Sequence, residues 1–315
     1  VVTNHDLAAR FDTSHEWIVE RSGIHERRWA DPETSTSDLA AEAARAAVAD
    51  AGVPLSEVDC LILATLSPDH EFPGTGVFTQ RKLGLGPIAV FDIRQQCSGF
   101  VYGLAMADAF LRSGLYRRVL VIGAETQSRA LDLTDRGRQV SVLFGDGAGA
   151  ALLGPGDAEH GLLASCLHAD GADAEILWLE KPGFARPPFI SEADLAAGRH
   201  FPHMEGRKVF KHAVTRMPEA VREVTAAAGL TPADLDLLIP HQANQRITEA
   251  VGEALGLSAD QVHGNIARVG NTTAASIPLC LLDARAAGKL RPGALVCLAA
   301  FGAGLTWGAN LLRWG

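Results

Sequence analysis

A run of helix, polar connection and apolar strand occurs twice in this 315-residue chain, and subtraction of residue numbers gives one constant offset of 177. The first copy, residues 40–65, is an alanine-rich helix ending at Ala51-Gly52, a polar connection, then Asp59 and an apolar strand. The second, residues 214–242, ends its helix at Ala228-Gly229 and follows Asp236 with Leu237-Leu238-Ile239. Gly52 therefore pairs with Gly229 and Asp59 with Asp236. Downstream, a helix at 101–112 and a strand at 119–123 match a helix at 277–287 and a strand at 296–300. Self-similarity at a fixed spacing means one architecture built twice. Each copy alternates helices of period 3.6 with short strands rich in Val, Ile and Leu, which predicts an α/β fold with mostly parallel sheets covered by helices. We place the two halves at residues 1–154 and 155–315.

In such folds ligands collect at the C-terminal ends of strands. Cys97 lies there in the first half, after the apolar run Ile88-Ala89-Val90-Phe91 and before a helical pattern at 98–113. A helix N-terminus favours an ionised sulfur, and Ser98-Gly99 keeps the turn tight, so Cys97 reads as a nucleophile. Cys60, Cys166, Cys280 and Cys297 sit inside apolar runs and read as core residues. His241 follows Leu237-Leu238-Ile239-Pro240 in a polar loop, an unusual place for a core histidine. Asn271, in Gly270-Asn271-Thr272-Thr273, precedes the helix that matches the one after Cys97, while Cys97 itself aligns with Ala274. Asn271 also suits a helix cap, and the two roles are compatible.

Cysteine, histidine and a carboxamide suit a peptidase-like relay. They suit another chemistry better: His241 and Asn271 donating to one thioester oxygen would stabilise the enolate left by loss of carbon dioxide, and that carbanion would attack an acyl group held on Cys97. In the small-residue loop Ala300-Phe301-Gly302-Ala303-Gly304, the N–H of Ala303 together with that of Cys97 is expected to form an oxyanion hole. The stretch Phe144-Gly145-Asp146-Gly147-Ala148-Gly149 precedes a strand rather than a helix, which excludes dinucleotide binding and points to close backbone packing.

The chain is 47% hydrophobic and 21% charged, enough to bury a large core. Its apolar runs are too short for a membrane helix, and its start has no secretory pattern, so a cytoplasmic protein without membrane association is expected. Five cysteines without Cys-x-x-Cys spacing argue against a disulfide framework and a structural zinc site, and no metal or resident cofactor is expected. A net charge of −9 disfavours nucleic acid. An anionic ligand would need a local patch, for which Arg199, Arg207, Lys208, Lys211 and Arg216 are candidates.

These residues resemble the β-ketoacyl-acyl carrier protein synthase III family of the thiolase superfamily. Along nearly the whole chain the likeness rests on Glu16-Trp17-Ile18-Val19, Arg21-Ser22-Gly23-Ile24, Cys97-Ser98-Gly99-Phe100, Thr134-Asp135-Arg136-Gly137, the glycine-rich stretch from Phe144, Pro240-His241-Gln242-Ala243-Asn244, Gly270-Asn271-Thr272 and Phe301-Gly302-Ala303-Gly304. It implies a homodimer with a thiolase-like fold in α-β-α-β-α layers. Cys97, His241 and Asn271 would perform acyl transfer and decarboxylative Claisen condensation, with coenzyme A or phosphopantetheine thioesters, on coenzyme A or acyl carrier protein, as substrates. By the same resemblance, Trp17 and Arg136 would sandwich a coenzyme A adenine, and Arg21, Arg207 and Asn244 would contact the coenzyme or its pantetheine arm. Lys211 and Arg246 would dock the carrier protein.

Gln95 and Gln96 replace small residues of the housekeeping members, Arg207 replaces an asparagine, and Ala303 interrupts a glycine run. The apolar first strand expected before Val1-Val2-Thr3-Asn4 is missing, so a truncated start is expected. The departures beside Cys97 keep open a ketosynthase or acyltransferase of secondary metabolism that joins two acyl chains or acylates an oxygen or nitrogen nucleophile. A catalytically silent partner subunit and a thioester hydrolase complete the alternatives.

Overall fold

The computed structural model describes residues 1–156 and 159–315. After α1 (His15–Ser22), the first half runs α2 (Thr36–Asp50), β1 (Cys60–Ala64), α3 (Thr75–Leu83), β2 (Ala89–Ile93), α4 (Gly99–Arg112), β3 (Val119–Glu125) and β4 (Gly147–Leu153). The second half runs β5 (Gly161–Ala169), α5 (Gly206–Ala227), β6 (Leu237–Pro240), α6 (Gln245–Leu255), α7 (Ser276–Ala286), β7 (Leu295–Gly302) and β8 (Thr306–Arg313).

Two four-stranded sheets result, in the orders β2-β1-β3-β4 and β6-β7-β8-β5. The repeat survives at the level of register. Parallel β1 and β3 pair Cys60 with Val119, and parallel β6 and β7 pair Leu237 with Val296, so both members shift by the same 177 positions. An antiparallel strand closes each motif, β4 on β3 and β8 on β7. The halves differ in how they reach it: residues 126–146 connect β3 to β4, whereas 303–305 suffice between β7 and β8.

Burial explains the layering. β1, β3, β6 and β7 are buried throughout, as strands covered on both faces should be. Phe100, Val101, Leu104 and Ala107 on α4, with Ile277, Cys280 and Ala284 on α7, share one core with Ile62, Val121, Leu237 and Val296. These two helices therefore fill the space between the sheets. Outside the first sheet, Ala40, Ala44 and Val48 of α2 cover Leu61, Leu63, Leu120 and Ile122. Outside the second, Met217, Val221 and Val224 of α5 and Val251 of α6 cover Leu238, Cys297 and Ala299. The order is α-β-α-β-α, the thiolase-like arrangement. No helix among the described residues is long and apolar enough to cross a membrane.

Candidate active site

Both central helices begin with the same unusual backbone. Gln96, before Cys97, has φ 41°, and Thr273, before Ala274, has φ 45°; these are the left-handed non-glycine residues among those described, and the repeat superposes them. Holding a side chain in that region costs about 1–3 kcal/mol and persists only where the surroundings impose it. Here the impositions are visible. Gln96, with its amide turned to satisfy its neighbours, donates through Nε2 to Arg94 O at 3.3 Å and to Ala303 O at 3.2 Å. Thr273 N donates to Asn271 Oδ1 at 2.9 Å.

A cavity of 1480 Å³ opens where these strand ends meet, and Cys97, His241, Asn271 and Ala303 all line it. Thus the structure brings together the four residues singled out for chemistry. Gly302 packs so closely on Cys97 that an added Cβ would lie 2.7 Å from Cys97 Cβ and 3.0 Å from its N. The backbone N–H groups of Cys97 and Ala303 lie near enough to the sulfur to lower its pKa.

The sequence argument for a ready-made thiolate does not hold in this state. Burial, and next the Glu125 carboxylate, push the Cys97 thiol up to about 12, and the two N–H groups only partly counter them. Glu125 closes the apolar run of β3 and is itself fully buried. Burial, with the Glu125 carboxyl as the lesser contribution, therefore outweighs the helix N-terminus, and the resting sulfur is a neutral thiol.

His241 is also buried, and desolvation holds its pKa down at about 3, so the imidazole is neutral. Its Nδ1 lies 2.6 Å from Ser276 Oγ, the first residue of α7. A hydroxyl can donate to or accept from Nδ1, so Ser276 accommodates either tautomer of the ring. The backbone pins the histidine as well, since His241 N donates to Ala299 O at 2.7 Å. Asn271 is anchored by the glycine-rich stretch: its N donates to Leu143 O at 2.8 Å, and Gly145 N donates to its carbonyl at 3.0 Å. A Cβ at Gly145 would collide with Val269 O, which accounts for glycine there. With Oδ1 taken by Thr273, the Asn271 Nδ2 group is the one left to act as a donor.

The binding residues separate into groups. Trp17, Arg21, Arg207, Asn244 and Arg246 line the same cavity. Asn244 caps α6, its Oδ1 accepting from Arg246 N at 2.9 Å and its Nδ2 donating to Arg21 O at 2.8 Å. Its carboxamide is thereby committed to the protein. Arg246 lies 5.9 Å from the Phe210 ring, and Lys211 is exposed on α5. Arg136, expected to face Trp17 across an adenine, is not one of the two cations in direct contact with that ring. Arg138, at 4.8 Å, and Arg21, at 5.2 Å, lie over that ring, whereas Arg136 lies 5.5 Å from Phe201 and pairs with Asp132 at 2.5 Å in a neighbouring pocket.

Sequence reasoning also passed over Ser276 and Glu125. The first had a signal, because the repeat maps it onto Gly99 beside the nucleophile. The second did too, as a lone carboxylate ending an apolar strand. Cys166, His168 and Glu223 bring possible metal-ligand atoms within 4.8 Å of one another. They stand outside the cavity, with the thiol donating to Ala220 O and His168 Nε2 paired with Glu223.

Comparison with known proteins supplies the context. Residues 91–171 match the family model of 3-oxoacyl-[acyl-carrier-protein] synthase III, and 225–314 match the model of its C-terminal part. The chain is 46% identical over 314 residues to a β-ketoacyl-[acyl-carrier-protein] synthase III of Caldanaerobacter subterraneus, covering 100% of this chain and 94% of the relative. Among solved structures it matches the Thermus thermophilus β-ketoacyl synthase III with a TM-score of 0.92 and 43% identity, over 100% of this chain and 95% of the other. It also matches the priming β-ketosynthase of the R1128 polyketide pathway, with a TM-score of 0.89 and 33% identity, over 99% and 92% of the two chains.

Proposed function

Since the chain belongs to the β-ketoacyl-acyl carrier protein synthase III family, acyltransferases that form carbon–carbon bonds, we propose that Cys97, His241 and Asn271 are the triad that carries its condensation. The observation that supports this most is their convergence with Ala303 on one cavity at the strand ends of both halves.

In the first half-reaction the Cys97 sulfur attacks the acyl thioester carbonyl of coenzyme A or a carrier protein as its proton passes to His241. The neutral resting pair makes a concerted transfer the natural course. The tetrahedral oxygen takes the N–H groups of Cys97 and Ala303. Collapse breaks the old C–S bond, and the departing thiolate recovers the proton from the imidazolium. In the second, a malonyl-type thioester on the carrier protein loses its carboxylate as carbon dioxide. The electron pair of that bond moves into an enolate whose oxygen is held by Asn271 Nδ2 and, once the ring proton has shifted from Nδ1 to Nε2 with Ser276 donating to Nδ1, by His241 Nε2–H. The carbanion attacks the acyl-cysteine carbonyl, the C–S bond breaks, and Cys97 leaves as a thiolate that takes one proton from solvent to return to the resting thiol.

Trp17 and Arg21 form a cationic aromatic mouth that suits the coenzyme's adenine and phosphates, with Arg207 on the same cavity wall, while Arg138 over Trp17 and Arg136 both line the adjoining pocket. Lys211 and Arg246 are the proposed carrier contacts. We further propose a cytoplasmic homodimer with its two halves joined near residue 154. The edge strand β2, whose Val90, Phe91 and Ile93 are only half-buried, and Phe72, 79% exposed, support the dimer. Five free cysteines support the compartment.

Intact-protein mass after mixing with a panel of acyl-coenzyme A and acyl-carrier thioesters tests the assignment. Cys97→Ala should form no adduct, whereas His241→Ala and Asn271→Ala should keep more acylation than condensation. Equal loss of both steps in all three variants would overturn the division of roles. The likeness to the R1128 priming ketosynthase favours one second reading, secondary metabolism. Product formed without release of carbon dioxide would select its acyltransferase form.

A further inference from the structure

Glu125 is a fully buried carboxylate that the reaction as written does not use. Its two oxygens face five donor groups. Thr65 Oγ1 donates at 3.1 Å, Ser67 Oγ at 2.5 Å, and the amides of Leu66, Ser67 and Ala274 at 3.2, 3.2 and 3.4 Å. Four of these lie on the connection after β1, beside the cavity wall formed by Leu66 and Ser67. The fifth belongs to the other half of the molecule. Three of the five are backbone N–H groups, which can only donate, so the pocket is built for a carboxylate. Desolvation raises its pKa above the ordinary carboxylate range, and the donors act against that rise.

The group on the far side is the turn that orients Asn271. Thr273 N holds the Asn271 Oδ1, Thr273 has the left-handed φ, and Ala274 N reaches Glu125. β3 presses on this turn from two places: Glu125 bonds it, and Gly123 packs so closely that an added Cβ would collide with the Ala274 carbonyl. Asn271, Thr273 and Ala274 are themselves buried. A strained turn under the Asn271 carboxamide is thus held by one buried carboxyl group from the opposite half.

We propose that Glu125 is a positioning residue for the condensation step, holding the Thr273-Ala274 turn so that the Asn271 carboxamide keeps its donor aimed into the cavity. This inference rests on the assignment of Asn271 as an enolate donor. Glu125→Gln is the decisive perturbation, because an amide nitrogen cannot accept and would face donors. An error of about 1 Å at a reacting group costs on the order of 100-fold. Condensation from pre-acylated enzyme should therefore slow by roughly 10- to 100-fold. Self-acylation of Cys97 should stay within about threefold of wild type or speed up, since the negative charge beside the thiol is gone.

The experiment is a double-mutant cycle with Asn271→Ala, each half-reaction followed by intact mass and product release. If Glu125 acts through Asn271, adding Glu125→Gln to the Asn271→Ala enzyme should change condensation by less than about threefold. Full additivity, equal slowing of both half-reactions by Glu125→Gln, or no slowing at all would each overturn the inference. Undiminished condensation by Asn271→Ala alone would instead overturn the assignment on which it rests. If Glu125→Gln does not fold, Ser67→Ala takes its place, removing the shortest donor and leaving the carboxylate. The same selective and non-additive loss is then expected at smaller size, and its absence counts against the proposal.

Discussion

Gly302→Ala tests the coupling between the oxyanion loop and the nucleophile by steric means alone. The added Cβ would stand 2.7 Å from Cys97 Cβ and 3.0 Å from Cys97 N, whereas ordinary contact begins at 3.4 Å. The shortfall of about 0.7 Å must be absorbed by Gly302 or Cys97, because both are locked into buried backbone. Overpacking of this kind costs about 1–3 kcal/mol of stability, which leaves a protein of this size folded in ordinary buffer. The kinetic effect should be larger, because it falls on the alignment of sulfur and oxyanion donors: about 100-fold in self-acylation, equivalent to about 2.7 kcal/mol at the transition state. Stopped-time intact mass with an acyl thioester donor measures the rate, and thermal melting measures the stability. Gly86→Ala is the control, since a Cβ there meets no atom within 4 Å and the backbone is not left-handed. A folded Gly302→Ala enzyme that acylates within threefold of wild type would refute the packing argument.

Ser276→Ala removes the partner of His241 Nδ1 and should lower condensation by about 10-fold, near the 1–3 kcal/mol cost of an unsatisfied buried group, as read in single-turnover assays. Arg138→Ala should raise KM for acyl-coenzyme A at unchanged kcat, while Arg136→Ala should leave that KM within about twofold, because only the former lies over Trp17. His241 contributes a pH dependence of known sign. Its folded pKa, about 3, is below the ordinary 6.5, so the unfolded chain binds the extra proton between these values and stability falls as pH drops through that window. Near pH 5 this group alone should give a slope of about 1.4 kcal/mol per pH unit in denaturant melts, and His241→Ala should lack that slope. Cys97 acts at the other end: with a folded pKa of about 12 against 9.0 unfolded, it costs stability above pH 9, which Cys97→Ala should partly relieve.

The repeat at 177 made much of this architecture legible, because local periodicity and register are written along the chain and β1 with β3 really does superpose on β6 with β7. Strand ends were legible for the same reason, and they delivered Cys97, His241 and Asn271 to one cavity. What failed to show were effects carried through space. The thiolate argument for Cys97 used the helix behind it and missed the carboxylate beside it, because Glu125 approaches from another strand. The place of Arg138 over Trp17 depends on how residues 126–146 fold back on α1, and that stretch has no periodicity to read. Ser276 meets His241 only because α7 packs behind β6, although the repeat pointed at its position.

The unequal connections in the two halves have a consequence for how such a protein can change. The segment 126–146 supplies Gln127, Ala130, Gln139, Val142, Leu143 and Phe144 to the cavity, and the turn 303–305 supplies the oxyanion donor. That turn is boxed in, with the Ala303 carbonyl accepting from both Thr306 Oγ1 and Gln96. The turn 303–305 therefore resists insertion and deletion, whereas the longer 126–146 can change length at lower cost. Substrate scope can drift through the length of 126–146, and of 170–205 in the second half, which also lines the cavity, while the turn packed on Cys97 stays fixed.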